Sequence, residues 1–182
     1  MFVYILIVYL FTLSLYLNNI SSIIVHKKAQ LCLQNPYIPL PDIIHHNFFT
    51  INVLMPDYFL FMCICITIYN YNNLINIQQN LLSISLCLII RAFSIGLTIM
   101  PTCMSIPKKN NNLYIKNFVS THDLMFSVQS IFFIIIGNML NSYFIQIYGP
   151  FLLVLARQHY TIDVCVSGLV YYFVYTNLNK IF

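Results

Sequence analysis

Glutamate does not occur in this chain; its carboxylates are four aspartates, Asp42, Asp57, Asp123 and Asp163, spread over 182 residues. Charge of either sign is scarce, 7% charged against 60% hydrophobic residues, where a soluble domain carries roughly 25% charged residues. So few charges cannot cover a water-facing surface, which excludes an ordinary soluble globule and leaves an integral membrane protein. The net charge of +4 is too small and too scattered to track a nucleic-acid backbone, so no nucleic-acid partner is expected. The six cysteines (Cys32, Cys63, Cys65, Cys87, Cys103 and Cys165) include no CxxC. Four of them lie in apolar runs and read as small apolar fillers, so neither metal nor cofactor is expected. Cys32 and Cys103 fall in loops expected to share one side, which leaves a disulfide between them open. The chain lacks internal repeats. Its first apolar run has no basic stretch before it and no small-residue cleavage pattern after it, so it reads as a retained span rather than a signal peptide.

What is there is a succession of apolar runs. Residues 2–24 give a first span, and the polar, proline-bearing stretch His26–Thr50 reads as a loop. Pro56 and Asp57 suit a helix start, and a second span follows to about Tyr69. The uncharged "NYNNLINIQQN" reads as a connector to a third span over Leu81–Met100, stopped by Pro101. Residues 101–121 read as another loop, with Lys108, Lys109 and Lys116. Leu124–Leu140, Tyr143–Ala156 and Tyr160–Tyr175 supply three more spans, the first two short for a bilayer. The expected fold is all-α: one polytopic transmembrane domain over residues 1–182, a bundle of about six helices.

The segment "RQHYTIDVCVSG", Arg157–Gly168, puts one of the four acids into the last apolar run. His159 and Asp163 are spaced i, i+4, which at a helix start sets both on one face, one turn apart. A carboxylate there can fix one imidazole nitrogen and leave the other free to act. The bland alternative is a satisfied polar pair that packs two helices. An acid inside a bilayer costs roughly 2.5–3.5 kcal/mol even on the insertion scale, so such acids tend to serve function. His26, His45 and His46 fall in the first loop at no metal-binding spacing and read as interfacial loop histidines.

Four stretches, in order, resemble the sphingomyelin synthase family of sphingolipid phosphotransferases, related to the lipid phosphatases. They are "PLPD" (Pro39–Asp42), "RAFSIGLTIMP" (Arg91–Pro101), "HDLMFSVQS" (His122–Ser130) and "HYTIDV" (His159–Val164), and the resemblance covers about residues 36–176. It implies six spans and a reaction centre on one membrane face. There a phospho-headgroup passes from a phospholipid donor to ceramide or a similar acceptor through a phospho-histidine. By position, His159 is the nucleophile and Asp163 its partner. Arg91, Asp123 and Ser127 fall at substrate-binding positions, Arg91 as a phosphate contact. One departure is central: where the family has S-G-H-T, this chain has Ser127-Val128-Gln129-Ser130. Gln129 stands in place of a catalytic histidine, and an amide exchanges no proton near neutral pH. His122, seven positions earlier, is a candidate substitute acid. The resemblance therefore implies either a phosphotransferase or a catalytically impaired homologue that binds lipid or a membrane partner. A phosphatase or phospholipase C, with water as acceptor, is a third branch, against which the lipid-phosphatase arginine motifs are not visible.

With six spans, the motif-side loops carry Lys27, Lys28, Lys108, Lys109, Lys116 and Arg157, and the other side only Lys180. The positive-inside rule assigns that side to the cytoplasm. The resemblance implies a lumenal or exoplasmic site in an endomembrane (Golgi-like) or the plasma membrane, and we follow the resemblance.

Overall fold

A computed structural model describes residues 2–32, 41–70, 74–97 and 127–180. Every regular element among them is a helix: α1 Phe2–Cys32, α2 Ile43–Asn47, α3 Met55–Asn70, α4 Leu74–Leu97, α5 Val128–Met139, α6 Tyr143–Leu155 and α7 Thr161–Leu178. As far as the described residues reach, each of the six apolar stretches lies on one of the longer helices. Two stretches, Ile5–Val25 in α1 and Ile77–Ile95 in α4, are long and apolar enough to cross a membrane. The apolar parts of α3, α5 and α6 are shorter.

Two boundaries differ from the sequence reading. Helix α1 runs on through His26 to Cys32, into the expected first loop. Lys28, Ala29 and Gln30 are good helix formers, and no proline or glycine interrupts before Pro36. That loop also holds α2, a single helical turn started by Asp42. Likewise α4 begins at Leu74, inside the expected connector. Gln78 and Gln79 favour helix as well as any loop, and Gln79 hydrogen-bonds Asn179 just past the end of α7. Met100, Pro101 and the following loop, and both ends of the Cys32–Cys103 pairing, lie outside what the structure describes at side-chain level.

The core forms where three helices present stripes at helical spacing. Ile84, Cys87 and Leu88 of α4 meet Ile131 and Ile135 of α5 and Tyr171, Val174 and Leu178 of α7. Helix α1 lies mainly along α4, and α3 lies against α5 and α6. Helices α5 and α6 form a tight hairpin. Asn141 ends α5 in the left-handed region (φ 51°), with Ser142 N–H donating to Gly137 O at 2.8 Å and Asn141 N–H to Asn138 O at 3.2 Å. This is the Schellman pattern. Ser142 then caps α6 by accepting from Ile145 N–H at 3.4 Å. Gly149 lets the hairpin close, since a Cβ there would strike the Phe133 ring. Pro150 sits inside α6 and removes the amide that would bond the Gln146 carbonyl.

Helix α6 ends by the same device: Arg157 has φ 54°, and Gln158 N–H donates to Leu153 O at 3.0 Å. The reversed chain delivers His159 directly to the start of α7. At this end of the bundle lie the starts of α3, α5 and α7, the end of α6, and α2. Ile51 N–H donates to Leu155 O (3.3 Å), and the Phe48 and Phe151 rings meet edge-on with centroids 6.0 Å apart.

Candidate functional site

The start of α7 is built by Asp163. Its carboxylate is buried and reaches back to accept the Tyr160 N–H at 3.0 Å, satisfying one of the free amides of the helix start. The same oxygen, Oδ2, stands 3.8 Å from His159 Nδ1. That distance is an ion-pair contact if the imidazole is protonated, and longer than a hydrogen bond. Among the described residues His159 Nδ1 is buried with no hydrogen-bond partner, and the Asp163 carboxylate stands slightly out of its reach. Catalytic hydrogen bonds are often slack without substrate and tighten when it binds.

A serine relay ties the start of α5 to this turn. Ser167 lies one helical turn beyond Asp163; its hydroxyl donates to Asp163 O at 2.6 Å and accepts Ser127 N–H at 2.6 Å. Ser127 in turn caps α5 by accepting Ser130 N–H at 3.1 Å. Ser127, Ser130 and Ser167 are fully buried, and the Ser130 hydroxyl has no partner.

Asp42 joins two helix starts. It caps α2, accepting Ile44 N–H at 3.0 Å and His45 N–H at 3.2 Å. It also accepts Thr161 N–H at 2.7 Å and the Thr161 hydroxyl at 2.8 Å, at the first residue of α7. Burial pushes the Asp42 carboxyl up, but the bonds from Thr161 and His45 outweigh it and hold the carboxyl below its ordinary value. Helix α2 is fastened at two more points. Arg157 donates from Nη2 to His45 O at 3.1 Å, and His45 Nε2 lies 3.2 Å from His159 O. The His45 and Tyr160 rings are 5.7 Å apart. His45, expected to be an interfacial loop histidine, lies instead in a helical turn that Asp42 caps and that contacts the His159 turn.

The remaining expected residues divide. His159, Asp163 and Ser127 belong to one connected cluster. Gln129, the second residue of α5, donates from Nε2 to Asp57 Oδ1 at 2.9 Å, so its amide is engaged with the start of α3. Gln158, next to His159, donates to Val53 O at 2.6 Å, on the approach to the same helix. Arg91 is buried on α4 and donates to Asn18 Oδ1 of α1 at 2.5 Å. His122 and Asp123 lie outside the described residues. Among the described residues no three His, Cys, Asp or Glu side chains gather as metal ligands.

Sequence reasoning missed Asp57, His45, Ser167 and the double role of Asp42. Two of these carried a local signal: Asp before "IIHH" is a cap pattern, and Ser167 is spaced i, i+4 from Asp163. A scan of protein-family models, curated proteins and solved structures finds no match to this chain.

Proposed function

We propose that the chain is a six-crossing membrane helix bundle that transfers a phospho-headgroup from a phospholipid to ceramide or a similar lipid, as the sphingomyelin synthase family does. The observation that carries the reading is the His159–Asp163 pair on the turn into α7, with Nδ1 facing a buried carboxylate at 3.8 Å. That orientation leaves Nε2 as the nucleophile. Its lone pair attacks the donor phosphorus, a P–N bond forms, and the P–O bond to the diacylglycerol oxygen breaks. The acceptor hydroxyl then attacks the same phosphorus and the P–N bond breaks. Asp163 stabilises the charge that develops on the ring and keeps its orientation. Headgroup transfer changes no oxidation state, so no redox cofactor is required.

The membrane part rests on the two long apolar helices and on the outward side chains. Leu97, Ile147, Leu169, Tyr172 and Phe173 are all exposed, a surface suited to lipid tails. Helices α5 and α6, at 12 and 13 residues, reach only about 18–20 Å against a ~30 Å hydrocarbon core. They cross where the bilayer thins around them. The site faces the lumen or exterior of an endomembrane or the plasma membrane.

The test is the full chain in vesicles of phosphatidylcholine and phosphatidylethanolamine with a fluorescent ceramide. A phospho-headgroup ceramide should appear, and His159→Ala should abolish it. Product that persists in His159→Ala refutes the nucleophile. The Gln129–Asp57 hydrogen bond favours a second reading, a catalytically impaired homologue that binds lipid or a membrane partner. On that reading neither the unaltered chain nor Gln129→His makes product while folded in the vesicle.

A further inference from the structure

Headgroup transfer through a histidine needs a second group that moves protons. The leaving glycerol oxygen must gain one, and the incoming hydroxyl must lose one. Asp163 cannot do this, because its Oδ2 already accepts Tyr160 N–H and faces His159 Nδ1. Gln129 has no exchangeable proton near neutrality. Asp42 is engaged by four donors, Ile44 N–H, His45 N–H, Thr161 N–H and the Thr161 hydroxyl. His46 lies exposed, its Nδ1 3.3 Å from Asn47 Oδ1. Asp57 is exposed at the start of α3 and bonded to Gln129.

The geometry points to His45 as the proton carrier of this site, on the reading that the chain transfers headgroups through His159. His45 Nε2 lies 3.2 Å from the carbonyl oxygen of His159 itself. Three further ties hold it there: Asp42 to Thr161, Arg157 to His45 O, and the His45–Tyr160 ring contact. A carbonyl only accepts, so Nε2 carries a hydrogen and Nδ1 is the nitrogen that exchanges. In the first step protonated His45 gives its Nδ1 proton to the departing diacylglycerol oxygen as the P–O bond breaks, and becomes neutral. In the second, neutral His45 takes the proton of the acceptor hydroxyl as the new P–O bond forms and the P–N bond breaks. His159 regains its lone pair, and His45 ends as it began. Helix α2, a single turn, serves to hold an imidazole against the backbone of the nucleophile's own residue.

The experiment uses the same vesicles of phosphatidylcholine, phosphatidylethanolamine and fluorescent ceramide with the full chain. His45→Gln keeps an N–H for the His159 carbonyl and loses proton exchange, so transfer should fall ~10²–10⁴-fold. His45→Gly leaves a gap that added free imidazole should fill, restoring part of the transfer and separating lost chemistry from lost fold. His45→Gln transferring within about twofold of the unaltered chain, or His45→Gly deaf to imidazole, overturns the assignment. Loss of product in His159→Ala keeps the headgroup-transfer reading standing in that case. No product from the unaltered chain, or product indifferent to His159→Ala, sinks both. Transfer lost in His122→Ala and untouched in His45→Gln overturns the assignment and gives the proton to His122.

Discussion

At position 129 an amide is turned toward Asp57, 2.9 Å from its carboxylate, in the place where the motif resemblance puts an imidazole. Gln129→His should raise headgroup transfer, and most in the His45→Gln background, where the gain should approach the ~10²–10⁴-fold that a proton carrier supplies. The vesicle assay with fluorescent ceramide reads this directly. Asp163→Asn keeps an oxygen for the Tyr160 N–H but removes the charge facing His159. Transfer should drop by about 10²–10⁴-fold, with the thermal midpoint in detergent nearly unchanged; a collapse of the midpoint would mark Asp163 as a helix cap above all. The His159–Asp163 spacing was legible because i, i+4 at a helix start allows one face only. His45 was not legible, because its meeting with His159 joins residues 114 positions apart. Asp42, which accepts from both Ile44 and Thr161, is one of the ties that bring the two segments together.

Among elements, the α6–α7 turn sets the site end, and the α5–α6 turn closes the hairpin at the opposite end. Asn141 and Arg157 adopt left-handed backbone at the ends of α5 and α6. A β-branched residue is strained there, so Asn141→Val should cost about 1–2 kcal/mol and Asn141→Gly should cost nothing, as read by thermal unfolding. The clamp between α2 and α7 is sensitive to acid. The folded Asp42 carboxyl titrates below its unfolded value, which is roughly 3.9. The folded state therefore binds fewer protons, and the stabilisation is complete above that value and drains as pH falls toward the folded one. Melting curves between pH 6 and pH 3 should show an acid-side loss in the unaltered chain that Asp42→Asn lacks. Helix positions were readable from the apolar runs; their ends were less so. Lys28-Ala29-Gln30 and Gln78-Gln79 are polar enough to look like loop and still prefer helix, and only tertiary partners such as Asn179 decide between the two.

For the whole molecule, a charge-poor composition sets the solvent before any helix is placed, and the outward Phe, Tyr and Ile side chains agree with it. Sidedness pits the lysine-bearing loops against the motif resemblance. A tag inserted between residues 101 and 121 should be protected from protease in sealed vesicles with their cytoplasmic face outward; digestion would hand the site to the cytoplasm. Composition alone does not place the helix ends, because the helices of 12 and 13 residues end at turns made by Asn141 and Arg157 rather than where apolarity stops. One bond has a consequence for assembly. Two greasy cylinders side by side in lipid have little to choose between neighbouring alignments, and each one-residue slide turns a helix by about 100°. The Asn18–Arg91 bond between α1 and α4 removes that indifference. It acts as a vernier mark: α1 can settle against α4 at one setting, and a slip in either direction carries the amide away from the guanidinium.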